Sequence, residues 1–151
     1  GFTASLAQRL NKEAKFCVKE AQNGDKLAPG LALVAPGDFH LIVDDDHRVI
    51  LNKKPPLWGV RPAIDYTLQS AAPIFKENLT GIILTGMGKD GTQGLLAAKK
   101  CGGRTIVESE ETCTVFGMPR SAIEAGAADI SLPLNKIPAL VIDMFNGGNG
   151  G

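Results

Sequence analysis

The chain has 151 residues, 44% of them hydrophobic and 21% charged, with 16 Lys plus Arg balanced by 16 Asp plus Glu. That length and mix fit one globular domain with a real core, and a formal charge of zero argues against nucleic acid or an anionic membrane as the main partner. No apolar run approaches the roughly 20 residues of a membrane span, and Cys17, Cys101 and Cys113 lie scattered, as reduced cytosolic thiols do, rather than as a disulfide frame or metal site.

Thr3 is placed to cap a helix over 4–10 with Leu6 and Leu10 on one face, so the start reads as a short amphipathic helix and not as a signal peptide. Opening on Gly1-Phe2-Thr3 at the edge of a helix, without Met, the sequence reads as a chain entered in the middle. A strand-like alternation follows over 15–20 and a turn at Asn23-Gly24-Asp25. The apolar run 31–35, stopped by Pro36-Gly37, suits a buried parallel strand. Segments 40–43 and 48–52 flank Asp44-Asp45-Asp46-His47 and predict a β-hairpin, closed off by Pro55-Pro56. Pro62 is placed to start a helix carrying Ile64, Leu68 and Ala71, limited by Pro73. Strands are expected at 82–85, 105–108 and 130–132, and helices at 92–100, 119–125 and 136–145. Strands alternating with helices imply an α/β fold, a doubly wound and mostly parallel sheet with the hairpin as an excursion. Residues 146–151, Asn-Gly-Gly-Asn-Gly-Gly, predict a disordered tail.

The glycine loop Gly86-Met87-Gly88-Lys89-Asp90-Gly91, between an expected strand and an expected helix, carries the most information. Gly86, Gly88 and Gly91 fit G-x-G-x-x-G, and Glu108 ends the next strand near where a dinucleotide fold places its ribose-binding acid. Asp90 speaks against that reading, because a fixed carboxylate in the loop repels a pyrophosphate. The same geometry suits a carboxylate that orients a histidine, with a neighbouring backbone N–H holding an oxyanion. A helix N-terminal acid is the plainer alternative for Asp90.

The other candidates read as structural. His40 falls in a hairpin strand and His47 at its tip, and Asp44–Asp46 read as a solvated turn rather than a metal site. Ser5, Ser70, Ser109, Ser121 and Ser131 lack a nucleophile-elbow context, and Cys113 lacks a base. Trp58, between prolines, reads as a surface-loop anchor. Phe116-Gly117-Met118-Pro119-Arg120 reads equally as a packed loop or as a wall of a site at the sheet edge.

Three segments together resemble the catalytic domain of the bacterial chemotaxis protein-glutamate methylesterase (CheB) family: 84–91 (LTGMGKDG), 115–120 (VFGMPR) and 1–10 (GFTASLAQRL). Segments 61–65 (RPAID) and 33–37 (LVAPG) also sit where that family has similar motifs. The resemblance covers residues 1–145 and implies a Ser-His-Asp hydrolase of glutamate methyl esters, which also deamidates glutamines on chemoreceptor helices, needs no cofactor or metal, and works in the cytoplasm. It matches Asp90 to the family's catalytic aspartate and Met87 to its oxyanion-hole N–H. The family's serine and histidine precede the segment matching 1–3, so the resemblance further implies a domain lacking its first strands and inactive alone, and a phosphorylatable receiver domain, common in the family, is absent from it. The dinucleotide-binding oxidoreductase and a non-catalytic interaction module stay as alternatives.

Overall fold

A computed structural model describes the backbone of residues 1–149 and the side chains of residues 1–146. The order is α1 (Phe2–Glu13), β1 (Cys17–Glu20), β2 (Leu31–Val34), β3 (His40–Val43), β4 (Val49–Asn52), α2 (Ile64–Phe75), β5 (Thr80–Ile83), α3 (Thr92–Lys100), β6 (Arg104–Glu108), α4 (Met118–Glu124), β7 (Ile130–Leu132) and α5 (Ile137–Asn149). The fold is α/β with mostly parallel pairing: β1 with β2, β5 with β6, and β6 with β7. The hairpin β3–β4 is antiparallel, with His40 opposite Asn52 and Val43 opposite Val49.

Each element follows from its residues. In β6, Ile106 and Val107 are fully buried, as the inner strand of the order β5-β6-β7 must be. Val107 packs with Ile83, Leu95 and Ala122 into one core cluster. A second cluster, Leu41, Val43 and Val49 with Ala21, lies beneath the hairpin. Helices α2 and α3 cross closely because Gly94 has no side chain: a Cβ there would stand 2.7 Å from Leu68 Cβ and 3.3 Å from Asp65 Cα. The described strands pair as separate pieces. A groove of about 230 Å³ runs between Ala35, beyond β2, the start of α2, and β5, where Ile82 is 37% exposed.

Several expectations shift. Thr3 lies inside α1 and caps nothing: its hydroxyl donates to the Glu20 carboxylate and accepts from Gly37 N–H at 3.2 Å. A partner across the fold outcompetes the local cap. Helix α2 starts at Ile64, not at Pro62, because Ala63 is still extended and the first helical N–H groups bond to Asp90. Pro73 does not stop α2 but sits in its last turn. Strand β5 begins two residues earlier than expected and ends at Ile83, which leaves Thr85 to the loop. Helix α5 runs through 146–149, where a tail is expected, and residues 150 and 151 lie outside the described part.

Candidate functional site

Strand β5 delivers the chain at its C-terminal end into the loop 84–91, and α3 follows. Gly86 ties this loop to the segment before α4: its N–H donates to Val115 O at 3.0 Å, and its carbonyl accepts from Gly117 and Met118 N–H at 3.1 and 2.9 Å. Thr85 adds a side-chain bond to Val115 O. Gly91 sits at φ 103°, a left-handed conformation in which its Cβ would also clash with Ile83 at 2.5 Å, so only glycine serves there.

The Asp90 side chain turns inward from this loop and is 6% exposed. Its Oδ2 accepts from Ile64 N–H at 2.7 Å and its Oδ1 from Asp65 N–H at 3.0 Å, so it caps α2. Asp65 returns the favour with its own side chain, which is fully buried. Its Oδ1 accepts from Gly91 and Gly94 N–H at 2.9 and 2.8 Å, at the start of α3, and its Oδ2 from Trp58 Nε1 at 2.8 Å. The start of α2 is thus capped by an acid from the loop before α3, and the start of α3 by an acid from α2. Burial pushes the Asp90 carboxyl above the ordinary carboxylate range, the Asp65 charge adds to that rise, and the donated N–H groups oppose it.

A solvent-open pocket of about 180 Å³ lies alongside, lined among others by Trp58, Val60, Met87, Asp90 and Met118. Met87 is 83% exposed, and among the described residues its backbone N–H donates no hydrogen bond to the protein. The Lys89 ammonium rests 4.0 Å from the Trp58 ring centroid. Loop and pocket therefore pair a buried carboxylate with a free backbone donor, the two parts that an acyl-transfer site requires of this side of a cleft.

Of the residues singled out in the sequence, Asp90 and Met87 come together on one loop. The dinucleotide reading loses its acid: Glu108 is 1% exposed with both carboxylate oxygens hydrogen-bonded within the fold, accepting from Thr85 N–H at 2.8 Å and from the Thr112 hydroxyl at 2.9 Å. His40 is buried with both ring nitrogens in use, Nε2 facing Pro55 O at 3.0 Å and Nδ1 accepting from Ala63 N–H at 3.2 Å. His47 packs on Phe75. The Ser70 hydroxyl bridges Thr67 O and Val43 N–H, and Ser121 bonds Thr92. The Cys113 thiol, pushed up by burial and by the Glu108 charge, is a poor nucleophile. Asp44 Oδ1 takes Asp46 and Arg48 N–H, and among the described residues no group of three His, Cys, Asp or Glu is placed to hold a metal ion. Sequence reading missed Asp65 and the bond from Trp58. The available signals were the family-like segment 61–65, which ends on Asp65, and the position of that acid three residues after Pro62 in the first turn of a helix.

Residues 1–141 match the family model described as CheB methylesterase. The chain is 50% identical over 137 residues to a protein-glutamate methylesterase/protein-glutamine glutaminase of Symbiobacterium thermophilum, covering 91% of this chain and 38% of that protein. It is 48% identical over 147 residues to the Thermotoga maritima protein of the same name, covering 95% and 43%. It therefore spans less than half the length of either relative. The crystal structure of the Thermotoga maritima CheB methylesterase catalytic domain superposes with a TM-score of 0.90 at 49% identity, over 95% of this chain and 78% of that one.

Proposed function

The chain belongs to the CheB methylesterase family, and from that premise we propose that it is the aspartate-bearing part of a cytoplasmic Ser-His-Asp hydrolase acting on methylated chemoreceptor helices. The observation that carries the reading is the Asp90 carboxylate, held inward at the C-terminal end of β5 beside the free Met87 N–H. The serine and histidine belong to a segment on the N-terminal side of Gly1. The open edge of β5 and the groove beside Ile82 support the docking of further strands there, as does the greater length of the relatives. No described histidine competes, since His40 has neither nitrogen free.

In this mechanism the histidine takes the serine proton as the hydroxyl attacks the γ-carbonyl of the glutamate ester. Asp90 bonds the far ring N–H, fixes the tautomer and offsets the imidazolium charge. The Met87 N–H donates to the oxyanion of the tetrahedral intermediate. The imidazolium then protonates the leaving methoxide, methanol departs, and water hydrolyses the acyl-enzyme by the same steps. A glutamine side chain follows this route with ammonia as the leaving group. Asp90 keeps lone pairs for the imidazole beyond those given to Ile64 and Asp65, because a carboxylate offers about four acceptor sites. A phosphorylatable receiver domain is the partner expected to control access to the site.

The test is methanol release from methylated receptor. The isolated chain should be slower than the full-length enzyme by a factor on the order of 10⁶, the loss seen when a triad nucleophile or base is removed. In the full-length enzyme Asp90→Asn should lower kcat by about 10²–10⁴-fold while the fold survives. Full turnover by the folded variant would make Asp90 a helix cap and nothing more.

A further inference from the structure

Asp65 takes no part in those steps, yet it is a fully buried carboxylate with three donors and no cation. Among the described residues no Lys, Arg or His pairs with it; it is met by Gly91 N–H, Gly94 N–H and Trp58 Nε1 at 2.8–2.9 Å. Burying a charge in this way is costly unless every lone pair is used. Capping alone does not require it, because a neutral Ser, Thr or Asn side chain serves that purpose. What distinguishes the arrangement is its direction. The side chain of Asp65 holds the backbone immediately after Asp90, and the side chain of Asp90 holds the backbone of Asp65.

We propose that Asp65 is a positioning residue for the reaction: it fixes the turn at Gly91 from which the Asp90 carboxylate is presented, and Trp58 fixes Asp65 in turn. The inference rests on the catalytic reading of Asp90. An amide in place of Asp65 can keep its oxygen on Gly91 and Gly94, but its NH₂ then faces the Trp58 N–H, donor against donor. Asp65→Asn therefore rotates or displaces the group that sets the Asp90 turn. A shift of that kind, remote from the reacting atoms, is enough to slow a triad. Loosening Asp90 weakens its hold on the protonated form of the triad histidine, so the histidine's pKa falls.

The experiment uses the full-length enzyme and methanol release from methylated receptor. Variants are Asp65→Asn, Trp58→Phe, the two combined, and Asp90→Asn for reference, each corrected for its folded fraction by thermal melting. Asp65→Asn should lower kcat about 10–100-fold, a range typical of lost outer-shell support, with KM nearly unchanged. The acid limb of the kcat–pH profile should move to lower pH, a change that a loss of stability alone does not produce. Trp58→Phe should cost several-fold in kcat in the parent enzyme, yet restore activity to Asp65→Asn by removing the opposed donor. That inversion of sign is the mark of direct coupling. A folded Asp65→Asn with parental kcat and an unmoved acid limb overturns the proposal. Should Asp65→Asn not fold, Trp58→Phe decides: a several-fold fall in kcat with the same limb displacement supports it, and unchanged kcat overturns it. If Asp90→Asn retains full turnover, the triad reading fails and this inference with it. If Asp90→Asn is slow while Asp65→Asn is normal, this inference alone fails.

Discussion

The hairpin tip and the crossed helix starts both concentrate aspartate, and they use it in opposite ways. At the tip, Asp44, Asp45 and Asp46 stand in a row beside His47, a composition rich in potential ligands. Asp44 spends its Oδ1 on backbone N–H groups two and four residues away, and Asp45, Asp46 and His47 are exposed. Asp65 and Asp90 are 25 residues apart in the chain, yet each is buried and each bonds the backbone beside the other. A carboxylate satisfied by its own turn costs the fold little and does little else. One that is taken out of water and bonded across the fold carries a desolvation cost that only a fixed geometry offsets.

Asp65→Ala should break the contrast most sharply. It leaves Gly91, Gly94 and Trp58 N–H without acceptors, and at about 1–3 kcal/mol for each buried donor the loss should exceed about 3 kcal/mol. Urea unfolding checks this, and a loss below about 1 kcal/mol would make the crossed caps no different from the hairpin tip.

Gly94→Ala comes next. The added methyl meets the Leu68 Cβ, which is anchored to α2 and cannot swing aside. Overpacking of about 1–3 kcal/mol should exceed the gain in helix propensity of about 1 kcal/mol, so the variant melts lower. A higher melting temperature would show that α2 and α3 have room between them.

The third prediction concerns pH. Burial raises the Asp90 carboxyl above its unfolded value of 3.8. Protonation of Asp90 therefore favours the folded state, and that contribution is full below 3.8 and lost as pH rises through the raised native value. Asp90→Asn lacks this titration, so its stability relative to the parent should improve as pH rises from about 4 and then level off. Parallel urea melts across that range test the sign, and a relative stability that falls with pH would mean the N–H donors outweigh burial.

The smallest effects belong to the hairpin. Asp44→Ala should cost about 1 kcal/mol through its two turn bonds, and Asp45→Ala should stay within about 0.5 kcal/mol of the parent. A larger loss at Asp45 would give the tip a role that its exposure does not suggest.

The loop bearing Asp90 was legible because its glycines mark the turn and β-branched Ile82 and Ile83 mark the strand before it. Helix α3 was legible to its ends, and the hairpin to within one residue, its second strand starting at Val49 and not at Arg48. Asp65 was not, because an acid in the first turn of α2 looks like a local dipole partner, and nothing within a few residues reveals that its acceptors serve α3. Thr3 failed for the same reason, its hydroxyl being claimed by Glu20 and Gly37. The separation of the described strands into pieces lay outside any periodicity, because pairing between strands is a property of the folded chain and not of a segment.

The crossed caps also carry a kinetic meaning. Their bonds span 25 to 29 residues, and each one completes a helix start with an acid from in or just before the other helix. Neither α2 nor α3 can finish its first turn alone, so closing the chain segment between them and ordering both starts become one event. In the native protein the reverse holds. An opening that frees the Ile64 amide also releases Asp90, loosens Asp65, and exposes the amides of Gly91 and Gly94. The four amides of Ile64, Asp65, Gly91 and Gly94, at the starts of two helices, thus share one opening reaction, a small cooperative unit of exchange.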